Sequence, residues 1–267
     1  MYIYELADIF MNSLLQSIIT LISGSALWEG FKFIYPDIKR YFQSRVEAKK
    51  ILYQSLDPII KAASELYGKT LSLAKEDFAT YINQTQSNSN DPEHNKKYIL
   101  YLFSQFFAQI EFIRLQSQYV TLAKIKKGRE LLKFIETIES RKYRIVDRSI
   151  QRIIGECLIL NKDQKFKVMT LQEFLSQIEQ ANTPLNKWIK PLEDKLNLVY
   201  QQDTRQVILK FGIIVEALIN HFDPGHKTIR KRPVYLNKLS PKSRGTIKEN
   251  LCVYYLPFIS NKERLYK

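Results

Sequence analysis

Five charged residues on otherwise apolar predicted helices are the side chains best placed to do chemistry in this sequence. They are Glu111, Arg114, Arg148, Arg152 and Glu156. Glu111 and Arg114 are three residues apart, and the other three follow one another at steps of four, so each set shares one face of a helix. Because buried charges are costly unless they pair, we expect the two sets to meet in the folded protein. They then form either an ion-pair network that fixes helix register or an arginine-lined pocket for a phosphate or carboxylate.

Short motifs of common enzymatic chemistry are absent from the sequence. It contains no GxxxxGK[ST], GxGxxG, HExxH or GxSxG pattern. His221, Asp223 and His226 lie close enough in sequence to ligate a metal, but the Asp-Pro-Gly turn among them is typical of an ordinary helix stop. We therefore expect no cofactor and no metal, and a binding role instead of catalysis. An enzyme that uses the glutamate and arginine set stays open as an alternative.

The charge balance favours anionic partners. The 267 residues include 41 Lys and Arg against 27 Asp and Glu, which gives a formal net charge of +14. Such a balance suits acidic lipid headgroups or nucleic acid. The two cysteines, Cys157 and Cys252, form no CxxC pair, which is typical of a protein in a reducing cytoplasm.

An uncharged stretch from Ile9 to Trp28 lies between Asp8 and Glu29. Twenty helical residues span about 30 Å, the thickness of a bilayer core. The stretch therefore predicts a single transmembrane helix within an anchor of residues 1–35, with an interfacial helix and a buried soluble helix as alternatives. The basic residues that follow it place the body of the protein in the cytoplasm, at the cell inner membrane.

Polar residues form a stripe along this predicted anchor. Asn12, Gln16, Thr20 and Ser23 recur at steps of four, four and three, which places them on one helix face. Polar side chains in hydrocarbon find partners on neighbouring helices. The stripe predicts a homo-oligomer, and in its sharpest form an assembly that perturbs the membrane.

Two groups of basic residues are candidate contacts for lipid headgroups or another anionic partner. They are Lys39, Arg40, Arg45, Lys49 and Lys50 after the anchor, and Arg230, Lys231 and Arg232 near the C-terminus. The second group belongs to a stretch with eight Lys or Arg and no Asp or Glu between Pro224 and Lys248. Nucleic acid is the alternative partner for this stretch, although no recognised nucleic-acid fold accompanies it.

Apolar residues at helical spacing predict an all-α protein, with a multi-helix bundle over residues 36–223 and a basic C-terminal tail, 224–267, that docks on the bundle. Pro36 marks the expected break between anchor and bundle. Thr170 and Glu173 form a capping-box pattern that opens a helix. The main predicted elements are a helix or two joined helices over Asp37–Gln84, a polar loop over Thr85–Lys96, a central helix over Tyr98–Ile125, and helices over Arg141–Leu160 and Asp203–Phe222.

Three stretches resemble a family of bacterial proteins from actinobacteria and cyanobacteria whose function is uncharacterised. They are Ser55–Leu73 with its paired alanines, the aromatic-rich Tyr101–Val120 with an embedded Glu and Arg, and Ile150–Ile159 with a Gln-Arg-x-Ile-Gly-Glu pattern. The resemblance covers roughly Ile9 to Phe222. It implies a helical protein that begins with a short membrane-spanning segment, and it transfers no catalytic residue.

The sequence as a whole predicts a membrane-anchored, non-enzymatic helical protein. Its cytoplasmic domain would bind a protein partner or ligand, and its anchors would associate, as in a membrane-perturbing effector of a bacterial defence or stress system. A basic nucleic-acid-binding helical module is the alternative from another class.

Overall fold

The protein is all-α, with about three quarters of its residues in helices. The computed structural model describes residues 25–79, 91–116, 118–162 and 165–267. Within them the α-helices are α1 Ser25–Lys75, α2 Asp91–Leu115, α3 Tyr119–Leu122, α4 Lys126–Glu139, α5 Arg148–Cys157, α6 Leu171–Glu179, α7 Pro184–Asn197, α8 Gln202–Phe222 and α9 Pro241–Thr246. Short 3-10 turns lie at Leu198–Tyr200, Leu236–Lys238 and Lys262–Leu265, and Ile247–Tyr255 is a π-helix.

Helix α1 is 51 residues long and continues through both Pro36 and Pro58. The chain divides into two compact units, residues 1–47 and 48–267, so the division falls inside this helix and not at Pro36 as expected. A proline removes one helical hydrogen bond but does not have to end the helix when packing compensates. Around Pro58 the compensation is visible, because Leu56, Ile59 and Ile60 are all buried in the second unit.

The core of the second unit is centred on α2 and α8. Phe103, Phe106 and Phe107 of α2 surround the ring of Phe211 on α8, with centroid separations of 5.6, 6.1 and 6.3 Å. All four rings are buried. Their contacts are edge-on or steeply tilted, the arrangement that aromatic quadrupoles prefer. The most apolar predicted helix therefore lies at the centre of this unit.

Helix α2 begins earlier than predicted. Part of the predicted loop, residues 85–90, lies outside the described residues, but from Asp91 the chain is helical. Pro92 suits the first turn of a helix. Lys97 then pairs with Glu93 at 3.1 Å, and Asn95 accepts a hydrogen bond of 2.7 Å from Lys69 of α1. These contacts order a polar stretch that composition alone assigns to a loop.

A two-stranded antiparallel hairpin interrupts the helices, and the prediction of a helix to Leu160 was wrong at its end. Strand β1, Ile159–Lys162, pairs with β2, Lys165–Val168, with Ile159 opposite Val168. Helix α5 ends at Cys157, and the β-branched and aromatic residues that follow suit a strand. The next helix, α6, opens with the predicted capping box, because Thr170 and Glu173 bond each other's backbone N–H groups.

The C-terminal residues after α8 contribute to the hydrophobic core of the second unit. The buried apolar side chains among them are Tyr235, Leu239, Ile247, Leu251, Cys252, Leu256, Ile259 and Leu265. The basic residues of this segment therefore alternate with residues that fix its path along the domain.

No helix in the described part of the chain is both long enough and apolar enough to span a bilayer. The predicted anchor face of Asn12, Gln16, Thr20 and Ser23 lies outside the described residues.

Candidate functional site

Glu139 is the centre of a cluster that we call the glutamate–arginine cluster: Glu111, Arg114, Glu139, Arg148 and Arg152. Arg114 donates a 2.5 Å hydrogen bond to Glu139 Oε1 and a second hydrogen bond to Glu111 Oε1. Arg148 Nε and Arg152 Nη2 each donate to Glu139 Oε2 at 3.0 Å. One carboxylate thus accepts hydrogen bonds from three arginines.

Three helices supply this cluster. Helix α2 carries Glu111 and Arg114, α4 ends at Glu139, and α5 begins at Arg148. Helices α2 and α5 cross closely at Gly155, where an added Cβ would lie 2.8 Å from the carbonyl oxygen of Phe107. The absence of a side chain at Gly155 lets α5 come near enough for its arginines to reach Glu139.

Burial and ion pairing shift the pKa of each of the two buried carboxyl groups in opposite directions. Burial raises the pKa of Glu111 above its ordinary value, against the attraction of Arg114. Burial also acts to raise the pKa of Glu139, but hydrogen bonds from Arg152 and Arg114 outweigh it and hold the pKa below its ordinary value. Glu139 is therefore the permanent counter-ion of the cluster, whereas Glu111 is the carboxyl group more easily protonated.

Access to the cluster is from the side of α5. Glu111 and Glu139 are buried, while the side chain of Arg148 is 55% exposed. Arg114 is further enclosed by Tyr119, whose hydroxyl accepts a hydrogen bond of 3.3 Å. The only exposed cation of the cluster is thus already bound to Glu139 through Nε.

Glu156, which the sequence placed in this set, is exposed and lies outside the cluster. Its neighbour Gly155 packs against α2, so a residue one step further round the helix turns away from the contact. The missing acid is Glu139. The spacing of apolar residues could have indicated it. Glu139 follows the buried residues Ile135 and Leu131 by four and eight positions, which places it on the apolar side of α4.

The N-terminal part of α1 presents an exposed apolar row flanked by cations. We call this surface the basic helix face: Ile38, Tyr41, Phe42 and Val46 with Lys39, Arg40 and Arg45. The four apolar side chains are 37–54% exposed. Ile38, Phe42 and Val46 follow one another at steps of four, so they share one side of the helix. Arg45 stands two turns after Ile38 on that side, with its guanidinium carbon 4.7 Å from the ring centre of Tyr41.

The other predicted basic contacts lie in the second unit. Lys49 and Lys50 are exposed on α1. Arg230 and Lys231 are exposed and Arg232 is half-buried, on an irregular segment that follows the turn at Asp223. These three residues line a groove with the later turns of α1.

His221 and Asp223, at the end of α8, have other partners. His221 Nε2 lies 2.9 Å from Glu130 Oε2, and Asp223 accepts hydrogen bonds from the backbone N–H groups of Lys227 and Thr228. Among the described residues no group of three or more His, Cys, Asp or Glu side chains is arranged to hold a metal ion.

Comparison of the chain with models of protein families, with curated proteins and with solved structures gives no match. Function must therefore be argued from the geometry of these surfaces.

Proposed function

We propose that this protein binds the surface of anionic membranes through the basic helix face, and that it acts as a binding protein and not as an enzyme. The observation that carries the proposal is the row of exposed Ile38, Tyr41, Phe42 and Val46 beside Lys39, Arg40 and Arg45. A helix that combines an apolar side with basic residues lies in a membrane interface, where lipid tails cover the apolar side and headgroups neutralise the cations. The predicted anchor at Ile9–Trp28, which precedes this face in sequence, supports the same placement.

Charge favours a lipid surface over a second copy of the chain as the occupant of this face. Two copies packed along the row would bring cations together, because Arg45 would lie near Arg45 of the other copy in a parallel pair and near its Lys39–Arg40 end in an antiparallel pair. Two acids flank the face, Asp37 and Glu47. Asp37 contacts Arg40 at 3.9 Å, and both side chains are about four-fifths exposed, so this pair offsets little charge. Against a bilayer, by contrast, each cation near an anionic surface contributes about 1 kcal/mol of attraction.

The test is flotation of the full chain with phosphatidylcholine vesicles that contain or lack phosphatidylglycerol. Binding should rise strongly when phosphatidylglycerol is present. The triple variant Lys39→Ser, Arg40→Ser, Arg45→Ser should lose most of this increase, about a hundredfold in partition coefficient. Ile38→Ser with Phe42→Ser should weaken binding to both vesicles, because less apolar area enters the interface.

A matched control replaces exposed aromatic residues elsewhere, Tyr200→Ser with Tyr254→Ser, and should bind as the parent does. Equal binding of all variants to both vesicles would contradict the proposal, since the predicted anchor alone would then hold the protein. A change of oligomeric state in Ile38→Ser with Phe42→Ser, without any change in vesicle binding, would assign the face to a second copy of the chain instead.

A further inference from the structure

A second basic surface lies entirely within the second unit, between the later turns of α1 and the irregular segment after α8. We call it the basic groove: Lys69, Lys75, Arg230, Lys231 and Arg232, with Tyr98 beside them. It is an open groove of about 550 Å³, and Glu65 is the one acidic residue among those that line it. Five cations therefore line the groove with one carboxyl group, and Glu76 of α1 adds a second carboxylate near Lys69.

The segment that carries the three C-terminal cations is pinned at several points. Tyr67 of α1 donates a 2.7 Å hydrogen bond to the carbonyl oxygen of Pro233. Tyr235 donates one of 2.9 Å to the carbonyl oxygen of Leu209, and Lys238 pairs with Asp77 at 2.8 Å. Upstream, the carboxylate of Asp223 accepts bonds from the next turn. Irregular backbone held in this way presents its side chains in a fixed arrangement before any ligand arrives.

Arg232 lies flat against α1 because Gly68 leaves room for it. Its Nη1 donates to the carbonyl oxygen of Ser64, and a Cβ added at Gly68 would lie 1.6 Å from that nitrogen. The helix thus has a gap where the guanidinium group sits. Lys69 is similarly fixed by its hydrogen bond to Asn95, and burial lowers the pKa of its ammonium group.

The remaining cations of the groove have no counter-ion in the described part of the chain. Lys75, Arg230 and Lys231 are exposed, and each lacks an ion pair there. Like charges brought together on a fixed frame repel one another, at a cost that a bound anion removes. The arrangement is thus more favourable with an anion bound than without one.

We propose that the basic groove binds a ligand through a multiply charged phosphate group, either a free polyphosphate or phosphomonoester or the phosphorylated headgroup of a lipid. A single carboxylate would neutralise one of five cations, whereas a phosphate chain carries several charges and suits both the arginine fork and the lysine ammonium. The volume of the groove falls in the range of small-ligand sites. Single-stranded nucleic acid is less suited, because it is usually bound by a series of aromatic side chains and the groove offers Tyr98 alone.

The decisive experiment is a calorimetric titration of the full chain with sodium tripolyphosphate at low salt. We expect saturable binding at one site, and a loss of about tenfold or more in affinity for Arg230→Ser with Lys231→Ser, because two charge-assisted contacts are removed. The control pair Lys127→Ser with Lys190→Ser removes two exposed lysines that do not line the groove and should leave the affinity unchanged.

A second variant tests the groove without changing any charge. Gly68→Ala displaces only the end of the Arg232 side chain, so the fold should be kept while the affinity for tripolyphosphate falls several-fold. The triple variant of the basic helix face should bind tripolyphosphate like the parent, so failure of the membrane proposal and failure of this one are distinguishable.

Vesicles separate the two sources of phosphate. If the groove holds a headgroup, phosphatidylinositol phosphate in phosphatidylcholine vesicles should increase binding, and tripolyphosphate should compete for it. If it holds a soluble ligand, this lipid should have no effect while the titration still shows binding. Absence of saturable tripolyphosphate binding would overturn the proposal, as would an equal loss in the Lys127/Lys190 control. Binding of single-stranded RNA that tripolyphosphate does not displace would overturn it as well.

Discussion

The glutamate–arginine cluster holds three arginines against two glutamates, whereas the basic groove is lined by five cations and one glutamate. In the cluster, Arg114, Arg148 and Arg152 all donate to Glu139, so little of their charge is left for a ligand. In the groove, Arg230 and Lys231 meet no carboxylate among the described residues. The two groups of basic residues thus have different roles, because only the arginines of the cluster share a buried counter-ion. We interpret the cluster as an ion-pair network that fixes helix register, and the groove as an anion-binding surface.

The largest effect should come from removing the counter-ion of the cluster. Glu139→Ala removes the acceptor shared by three arginines, of which Arg114 and Arg152 are partly buried, and we expect a loss of about 3 kcal/mol in the free energy of unfolding, measured by urea denaturation. Glu156→Ala removes an exposed acid from the neighbouring helix and should leave stability nearly unchanged. Similar losses for the two variants would show that Glu139 does not hold the cluster together.

Replacing the glycine of each site with alanine should change the stability of the protein differently. At Gly155 the new Cβ would lie 2.8 Å from the backbone oxygen of Phe107, which cannot move aside, so α2 and α5 must separate. We expect Gly155→Ala to destabilise the protein by about 2 kcal/mol. At Gly68 the obstacle is the flexible end of Arg232, and the helix itself favours alanine, so Gly68→Ala should leave the urea midpoint unchanged or slightly raised. A reversed order would contradict the close approach at Gly155.

Acid should weaken the cluster through Glu139. Its pKa in the folded protein is held below the ordinary value, so the unfolded chain binds the proton more readily. The stability contribution of Glu139 is therefore complete above the unfolded pKa, about 4.3, and is lost as the pH falls through the lower folded value. The unfolding free energy, measured at intervals between pH 3 and pH 7, should fall more steeply towards acid in the parent than in Glu139→Gln.

The contribution of Glu216 to stability should depend on pH in the opposite direction. This residue of α8 pairs with Arg264, but burial raises its pKa in the folded protein. Its protonated form is favoured by folding, so its contribution is present below the unfolded pKa and is lost as the pH rises through the folded value. The difference in stability between Glu216→Gln and the parent should therefore shift in favour of the variant as the pH increases. A pH-independent difference would show that Glu216 titrates alike in both states.

The smallest effect on stability should come from the groove. Arg230→Ser with Lys231→Ser removes two exposed cations that pair with no carboxylate in the described part of the chain, so the unfolding free energy should stay nearly unchanged or rise slightly as repulsion is relieved. The same variant should bind tripolyphosphate about tenfold or more weakly. A marked loss of stability would instead show that these residues stabilise the fold, as we expect of Glu139.

Much of the fold could be predicted from apolar spacing. The helix that holds Phe103 and Phe106 and the helix that holds Phe211 were both predicted, because buried faces dominate their sequences. The capping box at Thr170 and Glu173 was also predicted, since its signal is local. The passage of α1 through Pro36 was missed, and its passage through Pro58 was one of two alternatives, because packing decides whether a proline ends a helix.

The glutamate–arginine cluster was predicted in part, because buried charges are costly unless they pair and the two charged sets were therefore expected to meet. Glu111 and Arg114 belong to one helix turn, and the structure brings Arg148 and Arg152 to them. Glu139 was missed because it belongs to a third helix, and periodicity cannot tell which helices meet. Lys69 and Lys75 were missed as partners of Arg230 and Lys231 for the same reason, since only the tertiary fold brings them together.

The hydrogen bonds from Arg232 to Ser64 and from Tyr67 to Pro233 join residues 168 and 166 positions apart. Long-range contacts of this kind form late in folding, because closing a large loop costs conformational entropy before the contacts can stabilise the fold. The cluster, in contrast, draws on residues from Glu111 to Arg152, so it can assemble while downstream residues are still being added to a growing chain. The groove can form only after the residues up to and beyond Pro233 have emerged from the ribosome. A nascent chain would thus gain its helix-fixing cluster first, and its capacity to hold phosphate only after Arg232 and Pro233 have been added.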